Sequence, residues 1–307
     1  MPHDIVILGI FVADAAFRCD APPRLGETVL GTGFTLGPGG KGSNQAVAAA
    51  MAGGDVGFLT RIGKDTFGAM GQETWARAGV HPLAVIDESL PTGAAGIFVE
   101  TGTGKNAIVV SPGAAGAISV ADVAAQAEAI GQARVALTQL EQPMAAAEAF
   151  LRVAREGGAI TILNPAPAAP LPQGMLALCD YLIPNEAEAE GLTGIAVTDR
   201  DSAARAGGAL LDQGVGKAVI VTLGGDGALV CDAAGARHVP PINAGPVVDT
   251  TGAGDAFNGG FATALAEGRG LEDALRFATA VAAISVTRAG AAAAMPTRAE
   301  VEALLAR

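Results

Sequence analysis

Short runs of consecutive apolar residues alternate along the chain with longer segments whose apolar positions recur at helical spacing. The runs at 4–9, 56–60, 134–138, 159–163, 180–184 and 218–223 read as strands. The segments 43–53, 66–78, 120–131, 143–157, 199–213, 253–267, 271–287 and 297–306 read as helices. Strands with no polar alternation, set between helices, predict an α/β fold with a central, mostly parallel sheet covered on both faces. Ligands of such sheets bind beyond the carboxyl ends of the strands. Residues 1–307 read as a single domain, with no internal repeat and no long linker.

Two stretches, about 11–36 and 93–110, depart from this rhythm. They hold short alternating segments such as Gly96–Glu100 and Asn106–Val110, and the turn Gly102–Lys105 between these suits a hairpin. A small antiparallel sheet projecting from the main body is expected. It is either a lid over a substrate or an ordinary extension of the sheet edge. The Pro- and Ala-rich piece Asn164–Pro170 reads as a rigid loop after a strand.

Half of the 307 residues are hydrophobic, enough for a large core. The net charge of −12 and the lack of any basic stretch argue against nucleic-acid binding. An anionic ligand must then be held locally, by backbone amides, a metal or one well-placed lysine. Cys19, Cys179 and Cys231 are widely spaced and read as reduced packing residues. The three histidines (His3, His81, His238) form no metal-type spacing with them. Neither a signal-peptide pattern nor a membrane-spanning apolar run is found, so a cytoplasmic protein is expected.

The most telling segment is Asp249–Gly260, in which a loop of small residues runs directly into a helix. Amides at a helix start are unpaired and carry partial positive charge, so Gly252, Ala253 and Gly254 can hold a phosphate. Asp255, in the first turn, is placed to take a proton from a substrate hydroxyl. Together these features read as a kinase acting on an alcohol.

Other motifs have two readings each. Gly37–Gln45 precedes a helix; Lys41 and Asn44 face one small polar molecule there, or Ser43 or Asn44 merely caps the helix. Its spacing is not that of a Walker A loop. Thr222–Gly227 cradles nucleotide phosphates or simply links two strands. Asn185 and Glu188 hold a hydrated Mg²⁺ or form an acidic, asparagine-capped helix start. Glu141 and Asp14, each after a strand, are site carboxylates or solvated charges. A dinucleotide-dependent oxidoreductase is disfavoured because Gly9–Asp14 carries no GxGxxG.

Taken together, Gly39–Ala48, Gln139–Glu141, Leu163–Ala168, Pro184–Glu186, Val248–Thr250, Gly254–Asp255, Phe257–Gly259 and Val286–Ala291 resemble the phosphofructokinase-B-type (ribokinase-like) carbohydrate kinase family. The likeness spans nearly the whole chain. It implies ATP-dependent phosphorylation of a sugar's primary hydroxyl, ribose first, and a lid that often forms a homodimer contact. By position, Asp14, Gly40, Lys41, Asn44 and Glu141 match the family's sugar-binding set. Asn185, Thr222, Gly224 and Gly227 match the nucleotide set, with Glu188 near Mg²⁺. Gly252, Ala253 and Gly254 match the anion hole, and Asp255 the catalytic base. Asp249, Thr251, Ser285, Arg288 and Gly290 fall where the family binds an activating monovalent cation such as K⁺.

Two positions depart from the pattern. Val12 stands where an asparagine is usual, which makes 2-deoxyribose, another sugar or a nucleoside an alternative substrate. Ala294 stands where a serine often completes the cation site, so weaker cation activation is expected. A non-catalytic sugar- or nucleotide-binding member is the remaining alternative.

Overall fold

The computed structural model describes residues 3–307. Its main sheet runs in the order Gly235–Val239, Ala228–Asp232, Ala218–Thr222, Tyr181–Leu182, Ile160–Leu163, Val135–Thr138, Ile5–Leu8, Val56–Leu59, His81–Pro82. From Ala218–Thr222 to the His81 edge every pairing is parallel, and the last two strands at the opposite edge are antiparallel. All six predicted strands lie in this sheet. Their lack of alternation has a direct cause. Ile5 and Ile7 enter one apolar cluster while Val6 and Leu8 enter another on the opposite face, so every position is apolar.

One face is covered by the helices Lys41–Met51, Ala253–Ala266 and Leu271–Ser285, the other by Met144–Gly157 and Arg200–Asp212. Phe261 and Phe277, both fully buried, contribute about 1.5–3 kcal/mol each by leaving water. Small residues bring the first two helices unusually close. A Cβ added at Gly259 would lie 2.6 Å from the Ala48 Cβ and 2.7 Å from the Gln45 carbonyl oxygen. The Thr263 hydroxyl crosses the same seam to donate to the Ala49 carbonyl at 3.0 Å. The alanine and glycine content of these segments thus sets the spacing between the helices that carry Lys41 and Asp255. All three cysteines are free and buried, as packing residues should be.

The other predicted helices match closely, but 120–131 is two pieces, Val120–Ala125 and Ala127–Gln132. The chain leaves helical geometry at Gln126 (φ −110°, ψ 13°), and Val123 and Ile130 still reach the same apolar cluster. Sequence periodicity missed Glu186–Thr193, which is short and acidic, and the Ala228–Asp232/Gly235–Val239 hairpin. Arg237 in that hairpin bonds Asp232 and Glu272 at 2.6 Å each, so its polar edge positions hide the strand pattern. Among the described residues no helix is long and apolar enough to cross a membrane.

The two irregular stretches form a separate four-stranded sheet, ordered Gly33–Gly39, Val12–Cys19, Thr92–Glu100, Asn106–Gly113. The outer pairs are antiparallel, as expected, and the central pair runs parallel. The Gly102–Lys105 turn closes the predicted hairpin, with the Glu100 amide donating to the Lys105 carbonyl at 2.9 Å. Phe17, Phe34, Leu36, Ile108, Val109 and Val110 are exposed on this sheet.

Candidate active site

The Ala253–Ala266 helix begins at Gly252, whose φ of 76° is a left-handed conformation open to glycine at little cost. No side chain caps this start. The Ala253 amide donates to the Thr250 carbonyl and the Ala256 amide to that of Gly252, but the Gly254 and Asp255 amides have no acceptor among the described residues. A free pair of amides at the positive end of a long helix is a cradle for an anion.

Asp255 is buried, and two amides hold its carboxylate. Asn44 Nδ2 donates to Oδ2 at 3.1 Å and Gln45 Nε2 to Oδ1 at 3.0 Å. Burial raises its pKa, and the Lys41 charge and the two amides pull it down only in part. Gln45 itself is fixed on every side. It donates also to Asn164 Oδ1 at 3.1 Å and accepts from Gln139 Nε2, while Asn164 donates to the Ile183 carbonyl at 2.8 Å. The Asn44 Oδ1 atom is buried with no partner.

Lys41 opens its helix after Gly40, whose φ of 88° brings the chain against the Ile10 carbonyl. The Lys41 amide donates to Glu141 Oε2 at 2.8 Å. Burial lifts Glu141 to about 7, against the pull of that amide and of the Lys41 charge, with Asp255 and Asp14 adding repulsion. Asp14 rises to about 6 through burial; its carboxylate lies over Gly39, where a Cβ would be 2.2 Å from Oδ2. Glu188 is raised by burial and attracted by Lys41 as well. One ammonium thus serves three carboxylates (Glu141, Glu188 and Asp255), with Asp14 beside Glu141.

On the other side of the helix start lies a cavity of about 530 Å³. Thr222, Gly224, Gly227, Ala253 and Gly254 line it. Phe257, from one of the motifs quoted above, also forms its wall, as do Asn243, Val247 and Ala283, which sequence reading did not single out. Asn185 bridges to Thr222 but is not part of this wall. Its Oδ1 accepts the Glu188 amide at 2.8 Å while Glu188 Oε2 accepts the Asn185 amide at 2.9 Å. Here the helix-cap reading of the pair holds, a capping box. Glu188 nevertheless has no ion-pair partner among the described residues.

Of the residues expected at a monovalent-cation site, Asp249, Thr251 and Gly290 come together. Asp249 accepts the Thr251 amide at Oδ1 and the Gly290 amide at Oδ2, each at 2.9 Å. Burial would raise Asp249, yet these amides hold it below the usual carboxylate range. The side chains of Ser285 and Arg288 turn elsewhere: Ser285 donates to the Ala282 carbonyl at 2.9 Å and Arg288 pairs with Glu300. Ala294 is buried.

The model of the pfkB family carbohydrate kinases matches residues 2–298. The chain belongs to the pfkB family of carbohydrate kinases. It is similar to the ribokinase of Haemophilus influenzae, 39% identical over 303 residues, which cover 98% of this chain and 97% of that one. It is 35% identical over 301 residues to the deoxyribokinase of Salmonella typhi, with 96% of each covered. Its fold superposes on that of Arabidopsis thaliana ribokinase, a structure complexed with ribose and ATP, with a TM-score of 0.90, 32% identity and 99% of each chain covered. A pfkB-type kinase uses ATP to phosphorylate a carbohydrate alcohol, as the Asp249–Gly260 segment led us to expect.

Proposed function

We propose that this pfkB family kinase transfers the γ-phosphoryl group of ATP to the primary (C5) hydroxyl of ribose, giving ribose 5-phosphate. The observation that carries the reading is the Asp255 carboxylate at the mouth of an uncapped helix, with acidic and amide side chains on one side and a cavity on the other. The similarity to ribokinases over almost the whole chain supports ribose as acceptor.

Asp14, Lys41, Asn44 and Glu141 orient the sugar, with Gly40 letting the backbone come close. A sugar hydroxyl donating to Asn44 Oδ1 gives that buried atom the partner it lacks. Asp255 accepts the proton of the attacking hydroxyl. The sugar oxygen bonds to the γ-phosphorus as the bond to the β,γ-bridging oxygen breaks, and ADP leaves. Within the Gly252–Gly254 segment the Gly254 amide is free to donate, and with the helix dipole it stabilises charge on the transferring group, while the Ala253 amide is held by the Thr250 carbonyl. The raised pKa of Asp255 brings a carboxylate closer to the basicity that proton abstraction needs.

Thr222, Gly224 and Gly227 line the nucleotide cavity, and Asn185 supports Thr222 from the neighbouring strand. Glu188, buried and without an ion-pair partner, fits a Mg²⁺ shell through water; the ion supplies charge neutralisation on the phosphates. Asp249 and the carbonyls of Thr251, Ser285, Arg288 and Gly290 hold K⁺ as activator, with a weaker effect because Ala294 brings no hydroxyl. The small sheet acts as a lid within a single-domain chain, and its exposed apolar strands pair two copies into a homodimer. The cytoplasm is the compartment that fits these substrates.

A second reading, 2-deoxyribose as acceptor, is favoured by Val12. This side chain is buried in an apolar cluster at the root of the lid and packs on Gly93, where it offers no hydrogen bond. The similarity to a deoxyribokinase points the same way. ATP consumption against ribose, 2-deoxyribose, fructose and adenosine, with and without K⁺, separates these readings. Turnover with none of them overturns both. Val12→Asn should shift the ribose/2-deoxyribose preference toward ribose by roughly 2- to 10-fold, the worth of one hydrogen bond of about 0.5–1.5 kcal/mol.

A further inference from the structure

At the amino ends of the strands, on the edge away from Asp255, the fold gathers two of the chain's three histidines with an aspartate. His3 precedes Ile5–Leu8, Asp55 precedes Val56–Leu59, and His81 starts the edge strand His81–Pro82. His3 Nδ1 lies 2.9 Å and His81 Nε2 3.6 Å from Asp55 Oδ1. The imidazoles stack with centroids 4.8 Å apart and planes 22° from parallel. One nitrogen from each ring and one carboxylate oxygen all fall within 4.8 Å of one another. In a tetrahedral site with bonds of about 2.0–2.1 Å, ligand atoms are about 3.3 Å apart, so small side-chain rotations close this set on an ion.

The backbone holds the three positions ready. The Asp55 carbonyl accepts the Ile5 amide at 3.0 Å, and His81 is the register partner of Gly57. Gly57 also makes room for the cluster: a Cβ there would lie 2.8 Å from His3 Cδ2. The carboxylate and His81 are solvent-accessible, which gives an ion a route in and leaves a position for water.

We propose that His3, Asp55 and His81 bind one divalent transition-metal ion of the zinc class, with water completing the shell. Two neutral imidazoles and a carboxylate are borderline donors suited to Zn²⁺ and poorly suited to Mg²⁺ or K⁺. A bound ion clamps the amino ends of three adjacent strands at a sheet edge. The site is separate from the phosphoryl-transfer machinery and does not depend on its assignment.

The test is a titration of the whole chain with ZnCl₂ in excess Mg²⁺, followed by calorimetry and by the imidazole NMR signals. One equivalent should bind and shift the signals of His3 and His81. The ring of His238, bonded to the Asp226 carbonyl at 2.6 Å, should not respond. Zinc should raise the melting temperature of the wild type and leave that of exposed-position variant His81→Gln unchanged. Asp55→Asn and His81→Gln should each weaken binding by about tenfold or more, with turnover under saturating ATP and sugar unaffected. Equal zinc affinity in wild type and His81→Gln, or His3 and His81 signals that stay in place at one equivalent, overturns the proposal.

Discussion

The carboxylate of Asp255 is buried and gripped by two amides, whereas the Asp14 carboxylate has no hydrogen-bonding partner among the described residues and stands on a small sheet with exposed apolar strands. Both carboxylates are raised by burial, but their settings differ in stiffness. The Asp255 side is built from close-packed small residues and an amide network with one buried acceptor, Asn44 Oδ1, left open. The Asp14 side depends on strands that contact the main body near their roots. On the proposed assignment, with Asp255 as base and Asp14 as part of the sugar-binding face on the lid, this contrast suits a kinase that must exclude water before transfer.

Removing the proposed base should have the largest effect. Asp255→Asn should fold and keep ATP affinity while kcat falls by about 10³-fold or more, measured by steady-state turnover and nucleotide titration. Near-normal turnover would remove Asp255 from the reaction and leave the stiffness contrast without a purpose.

Next comes the helix seam. Gly259→Ala places a methyl where Ala48 and the Gln45 carbonyl already sit. About 1–3 kcal/mol of stability should be lost, read by denaturant unfolding, with kcat falling as Asn44 and Gln45 shift from Asp255. A comparable small-to-large change at Gly96, which meets nothing within 4 Å in the small sheet, should be mild. If the two cost the same, the seam is not the stiff element.

Gln45→Leu should follow. Losing a donor to a buried carboxylate raises its pKa further, so the basic form of Asp255 is reached at higher pH. The pH–rate profile should move to higher pH, and kcat at neutral pH should fall roughly 10- to 100-fold, the worth of about 1.5–3 kcal/mol. An unmoved profile means that Gln45 holds structure and leaves the base alone.

The smallest effect concerns Glu141. Its folded-state pKa of about 7 exceeds the ordinary 4.5, so the folded state binds more protons between those values. Its contribution to stability is full below 4.5 and is lost as pH rises through about 7. Glu141→Gln should flatten that part of the stability–pH curve in thermal melts of the sugar-free protein and weaken sugar binding. An unchanged slope would place the titration elsewhere.

Much of the candidate site, as a group of residues that the fold brings together, was legible in the sequence. Asp255 with Gly252–Gly254, Lys41, Asn44 and Glu141 lie in local motifs, and local motifs survive folding because the turn or helix start that uses them is a few residues long. Gln45, Gln139 and Asn164 were visible inside those motifs, yet nothing local shows that three amides distant in sequence close on one another. Their signal is an amide within an otherwise small or apolar buried run. Asn243 and Val247 carried none, since they line the cavity only after a loop crosses the sheet end.

By itself the chain's alternation of strand and helix patterns determined a parallel sheet with both faces covered, because a strand buried on two sides has no polar positions to spare. It also determined the helix start at Gly252–Asp255, since glycine geometry and unpaired amides are local. Tertiary structure alone decided which polar groups met: the amide network around Asp255, the parallel pairing at the centre of the small sheet, and the contact of His3, Asp55 and His81. Such encounters depend on register and helix spacing, which are settled by packing across the whole core.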